Sequence, residues 1–146
     1  MTELSFHFNV LAPVDHACRV VRKAVRSGAS VTVTAEPALL TELDAALWTF
    51  SATDFVPHAY PRPDAEGPND ALVPVLLIER PGQVATRDVL LNLGASVPVG
   101  FERFARVIEV VGLGDTQRRE ARLRWKHYAD RGYSIERFDL QHKGAA

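Results

Sequence analysis

The chain has 146 residues, 47% of them apolar and 24% charged, a composition that suits one soluble domain with its own core. Seventeen basic and eighteen acidic residues leave a net charge of −1, so no global field draws the protein to nucleic acid or to a membrane; electrostatic function must come from local clustering. A single cysteine, Cys18, excludes a disulfide framework within the chain and fits a reducing compartment. The opening residues lack the basic start and long apolar run of a signal peptide, and every apolar run is shorter than the roughly 20 residues of a membrane helix. The expectation is a cytoplasmic protein without a membrane span.

Residues 4–10 (LSFHFNV) alternate polar and apolar positions and predict a strand. Pro13 opens a helical pattern through Ala17, Val20, Val21, Ala24 and Val25, which Gly28 closes as a C-cap. SVTVTA (30–35) predicts a second strand, and Pro37 stands near the start of a helix over 37–47. Five prolines and glycines mark 51–72 as a long loop with at most a short strand near Phe55, and a loop of that length is usually functional or mobile. VPVLLI (73–78) and DVLLNL (88–93) read as strands covered on both faces. A turn at Arg80-Pro81-Gly82 separates them. A short helix over 98–105, a strand over 105–111, a long helix over 115–131 ending at Gly132, and an edge strand over 133–140 complete the pattern. The alternation predicts one domain over 1–146. Its class is α/β, a Rossmann-like three-layer sandwich with a mostly parallel sheet and helices on both faces.

Catalytic signatures are missing. The junction after the first strand, Asn9-Val10-Leu11-Ala12-Pro13-Val14, holds none of the glycines a dinucleotide fingerprint needs. There is no P-loop string, and Gly112-Leu113-Gly114 lacks a third glycine at the required spacing, so it reads as a strand-to-helix turn. His7, His16, His58, His127 and His142 show no metal-ligand spacing. Cys18 falls on the apolar side of its helix and reads as a buried, inert thiol. The expectation is no catalytic residue, no metal and no cofactor.

One local signal remains. Arg118, Arg122 and Lys126 stand four apart and line one stripe of the long helix, with Trp125 at its margin. Basic groups beside a wide aromatic suit an acidic peptide that carries an aromatic or a free carboxylate, and they also suit a phosphate backbone. Periodicity alone favours a plainer reading, a solvated helix face with Trp125 and Tyr128 in the core. Trp48 and Phe55 are either ordinary core or two walls of an aromatic slot.

Leu43-Asp44-Ala45-Ala46-Leu47-Trp48 followed by Phe55-Val56-Pro57-His58 resembles the L-D-x-x-L-W…F-V-P-H signature of chi subunits of the DNA polymerase III holoenzyme. Gly67-Pro68, the VPVLLI and DVLLNL runs, and Arg122-x-Arg124-Trp125-Lys126-x-Tyr128 before Gly132-Tyr133 extend the likeness over nearly the whole chain. The resemblance implies a non-catalytic clamp-loader accessory protein. Such a protein binds the acidic, phenylalanine-ended C-terminal tail of single-stranded-DNA-binding protein and joins it to the holoenzyme through the psi subunit, meeting DNA only indirectly. It implies tail-binding roles for Trp48, Phe55, Arg122 and Trp125, with Arg118 and Lys126 as nearby charge. The alternatives are a direct single-strand nucleic-acid-binding module and a nucleotide-dependent or hydrolytic enzyme on the same fold.

Overall fold

The structure, a computed structural model, describes residues 2–49, 56–60, 73–81 and 88–140. Among the described residues seven strands form one sheet: β1 (Glu3–Val10), β2 (Val31–Thr34), β3 (His58–Ala59), β4 (Val75–Leu77), β5 (Val89–Asn92), β6 (Arg106–Gly112) and β7 (Ile135–Asp139). Their order across the sheet is β3-β4-β2-β5-β6-β1-β7, and every pairing is parallel. The helices are α1 (Pro13–Arg26), α2 (Pro37–Thr49) and α3 (Asp115–Asp130). The sequence predicts a mostly parallel sheet; the described strands are parallel throughout. The short helix expected over 98–105 is a single 3₁₀ turn at Phe101–Arg103, because Pro98 and Gly100 leave too few residues for a full α-turn. A two-residue strand sits at His58–Ala59, three residues beyond Phe55, which itself lies outside the described residues.

The helix ends follow local chemistry. Pro13 occupies the first turn of α1, where a missing N–H costs nothing, and Asp15 stands near the positive end of the helix dipole. Gly28 (φ +89°) ends α1 and Gly132 (φ +83°) ends α3. In each case the glycine N–H bonds back to a helix carbonyl (Val25, Ala129), and the following N–H reaches one residue deeper (Ala24, Tyr128). This paired closure needs a left-handed residue, hence glycine.

Side-chain alternation sorts the strands between two cores. Leu91, Ile108 and Val110 point to the face covered by α1 and α2, where they meet Ala17, Cys18, Val21, Leu40, Leu43 and Leu47. Leu90, Val107 and Val111 point to the opposite face and pack with Leu4, Phe6, Phe101, Phe104, Ala121 and Tyr128. Cys18 is fully buried, and burial pushes its thiol up to about 11, which keeps it protonated. The chain leaves β1 near one margin of the sheet and crosses by α1 to β2, so the two flanks of β1 are filled late, by β6 and β7.

Candidate functional site

A cleft of about 580 Å³ opens where α3 lies over β1 and β7. Arg118, Ala121, Arg122 and Trp125 recur at helical spacing and form one wall. Ala121 is the small residue of that face, so the wall is recessed between the longer side chains. Phe6 and Phe8 of β1 form the floor, with Val111 of β6, and Arg137 of β7 forms the far wall. Among the described residues the lining carries three arginines and no carboxylate.

The aromatic rings are interlocked. The Trp125 ring lies 5.0 Å from that of Phe6, tilted by 56°. The Arg137 guanidinium sits 5.2 Å from the Phe8 ring centroid and 5.8 Å from that of Trp125, both within cation–π range. Arg118 is tethered: its Nη2 donates to Asn9 Oδ1 at 3.0 Å, and Asn9 Nδ2 donates to Asp139 Oδ1 at 3.0 Å. Asn9 adopts φ +58°, where the β1–β6 register slips between His7 and Val10. That bulge turns the Asn9 side chain toward α3, a use of irregular strand geometry that is common beside functional sites.

The predicted residues divide between two places. Arg118, Arg122 and Trp125 line the cleft. Lys126 stands on the exposed side of α3, 3.8 Å from Asp130, and is not part of the lining. Trp48 is elsewhere. It ends α2 with 59% of its surface exposed, and its ring packs edge-on against His58 of β3 at 5.1 Å. Strand β3 is five steps across the sheet from β1, about 24 Å at ordinary strand spacing. Trp48 is therefore no wall of the pocket around Arg122, which corrects the single slot expected from the sequence. Phe55 lies outside the described residues. Phe8, Asn9 and Arg137 were missed. The available signal was Arg137 itself, a cation on the side of β7 where Ile135 is partly buried.

Beneath the cleft, α3 is fastened to the sheet by a buried polar cluster. Alternation along β6 places Glu109 on the α3 face, between Val107 and Val111. Glu109 Oε1 accepts from Arg124 Nε at 2.9 Å and Asn92 Nδ2 at 2.9 Å; Oε2 accepts from the Tyr128 hydroxyl at 2.6 Å. Arg124 Nη1 also donates to the Ala95 carbonyl at 2.9 Å. Burial pushes the Glu109 carboxyl above its ordinary range, opposed by the Arg124 charge and the bonds from Tyr128, Asn92 and Arg124. Burial and the neighbouring carboxylate push the Tyr128 phenol up, so it stays a donor. Arg124, two residues from Arg122, is thus turned inward and is only 4% exposed.

A family model described as DNA polymerase III chi subunit, HolC, matches residues 1–136. The chain belongs to the DNA polymerase III chi subunit family. It is 37% identical over 126 residues to DNA polymerase III subunit chi of Pseudomonas aeruginosa, covering 86% of this chain and 84% of the relative. It is 29% identical over 119 residues to the Escherichia coli subunit chi, covering 81% and 79%. Among solved structures, the C-terminal domain of the DEAD-box protein Dbp5 matches with a TM-score of 0.61 at 11% identity, covering 97% of this chain and 91% of that one. That likeness establishes the α/β fold alone.

In this chi-family chain the carboxyl ends of β1, β2, β5 and β6 enclose a second crevice of about 680 Å³, the position where many parallel α/β folds hold a nucleotide. Its rim carries Asp15, Glu36, Glu42 and Glu120. Those carboxylates would repel a phosphate. Gly112 ends β6 and Gly114 precedes α3, so the G-x-G is a strand-to-helix turn. A Cβ on Gly112 would meet Gln117 Oε1, the far end of a flexible side chain in the first helical turn, which would have to move aside. Among the described residues no group of three His, Cys, Asp or Glu is arranged to hold a metal ion, and no helix is long and apolar enough to cross a membrane.

Proposed function

We propose that this chain is a non-catalytic adaptor of the replicative polymerase. In this reading the cleft between α3 and β1–β7 binds the acidic, phenylalanine-ended C-terminal tail of single-stranded-DNA-binding protein, and the chain links that protein to the clamp-loader complex through psi. The observation that carries the reading is the lining itself: three arginines around an aromatic floor, with no carboxylate among the described residues. A terminal phenylalanine needs an apolar slot, and Phe6, Phe8 and Trp125 provide one. Its carboxylate needs a planar donor pair, which the Arg122 guanidinium supplies. Upstream aspartates would meet the tethered Arg118 and, at longer range, Lys126.

Binding of a fluorescein-labelled peptide of aspartates ending in phenylalanine, followed by anisotropy, tests the reading. Affinity should fall as salt rises, because part of the attraction is screened. Retention of full affinity in Arg122→Ala would refute the site.

The arginine–aromatic lining also suits stacked bases and phosphates, so direct single-strand DNA binding is the second reading. Titration with naked oligonucleotide separates the two. The net charge of −1 supplies no global field to attract nucleic acid.

A further inference from the structure

We propose that Arg137 is a specificity-determining residue of this cleft, a second guanidinium that shares the ligand's terminal carboxylate with Arg122. This inference rests on the tail-binding reading and extends it to a residue from a different element, β7.

The position is dictated by the sheet. Arg137 is in register with Phe6 across the parallel β1–β7 pair, and paired residues of parallel strands point to the same face. Two residues earlier on β7, Ile135 is in register with Leu4 and packs into the core under α3. The alternation therefore expects an apolar side chain at 137. A cation stands there instead, with its guanidinium over the rings of Phe8 and Trp125. Both contacts restrain a side chain that would otherwise sample many rotamers, so little ordering entropy is left to lose on binding.

The charge balance points to an anion. Arg118 is committed to Asn9 Oδ1. Arg122 and Arg137 form no ion pair with a described carboxylate, yet they stand on opposite walls of one cleft. Two unpaired guanidiniums facing a shared, partly apolar space repel each other until an anion enters between them. A carboxylate has two oxygens and room for a donor fork on each side, so it can bridge the two guanidiniums. The ligand's terminal aromatic ring then lies beside the Arg137 guanidinium, on the part of the Phe6, Phe8 and Trp125 lining that it leaves open. The site would accordingly select a free C-terminus on an aromatic residue, rather than acidity in general.

The test is a double-mutant cycle on anisotropy-measured affinity, pairing Arg137→Ala with amidation of the peptide's C-terminus. Arg137→Ala should weaken the free-acid peptide about tenfold and the amidated peptide less than about twofold, the span of a shared charge-assisted contact. Arg137→Lys keeps the charge but loses the planar stack, and should recover only part of the loss. In a Trp48→Phe background Trp125 is the sole tryptophan, and Arg137→Ala should raise its quenching by acrylamide in the free protein. Equal losses for the two peptides would overturn the shared-carboxylate role. So would full affinity in Arg137→Ala while Arg122→Ala weakens binding, an outcome that leaves the tail-binding reading standing. Failure of the wild-type protein to bind either peptide would remove both.

Discussion

The two margins of the sheet each carry a tryptophan, in very different company: Trp48 is exposed, and Trp125 is partly buried against the core under α3. At the β1–β7 margin, Trp125 is held between Phe6 and Arg137, and the cations around it face an open cleft. At the β3 margin, Trp48 packs edge-on against His58, whose Nε2 lies 3.0 Å from Asp44 Oδ1 and whose Nδ1 meets the Val56 carbonyl at 2.7 Å. There the polar groups are spent on one another, and the tryptophan ring is turned outward. The proposed role of the β1–β7 margin as a slot for an anionic ligand rests on Arg122 and Arg137, which have no carboxylate partner among the described residues. Sequence motifs that run together along the chain, such as L-W and R-x-R-W, do not thereby share a surface.

The largest effect is expected from the cluster that seats α3. Arg124→Ala leaves the Glu109 carboxylate buried beside a lost cation and should cost about 3–5 kcal/mol of stability, a fall in Tm of roughly 10 °C or more. Arg124 lowers the Glu109 pKa, so its removal raises that pKa further, and the carboxyl protonates more readily in the folded state. The penalty should therefore shrink as pH falls, and Glu109→Gln in the same chain should restore part of the loss. Thermal melts over a pH series would detect both; a penalty independent of pH would mean that Glu109 does not carry the cost.

Next is the cleft. Arg122→Ala should reduce affinity for the phenylalanine-ended acidic peptide by about 2 kcal/mol, roughly thirtyfold, with the melt unchanged because the side chain is exposed. Trp48→Ala makes the sharpest contrast between the margins. It should alter that affinity by less than about twofold, since Trp48 lies some 24 Å across the sheet. A loss comparable to that of Arg122→Ala would mean that the two margins act as one site.

A further effect, on stability alone, concerns His16, whose Nε2 lies 2.9 Å from His7 Nδ1. Burial, then the Arg19 charge, lowers its pKa from 6.5, against a weaker pull upward from Asp15. The folded state therefore favours neutral imidazole while the unfolded chain takes up a proton. Stability is complete above 6.5 and is lost as pH falls from there through the lowered folded value. His16→Gln should flatten that part of the stability profile, read from urea midpoints.

Much of this protein was legible locally. Alternation and apolar runs located the strands, and three-to-four spacing located the helices. Gly28 and Gly132 marked two helix ends, because capping is a matter of a few adjacent residues. The basic stripe of α3 followed from spacing alone, as did the burial of Cys18. What the sequence left undecided was the order β3-β4-β2-β5-β6-β1-β7. Buried parallel strands have nearly the same composition, and their crossovers are long enough to reach any neighbour. That order brings Arg137 to Phe8 and Trp125, seats Arg124 on Glu109, and sends Trp48 to the far margin. Local physics specified the elements; long-range packing of faces with similar patterns decided which side chains would meet.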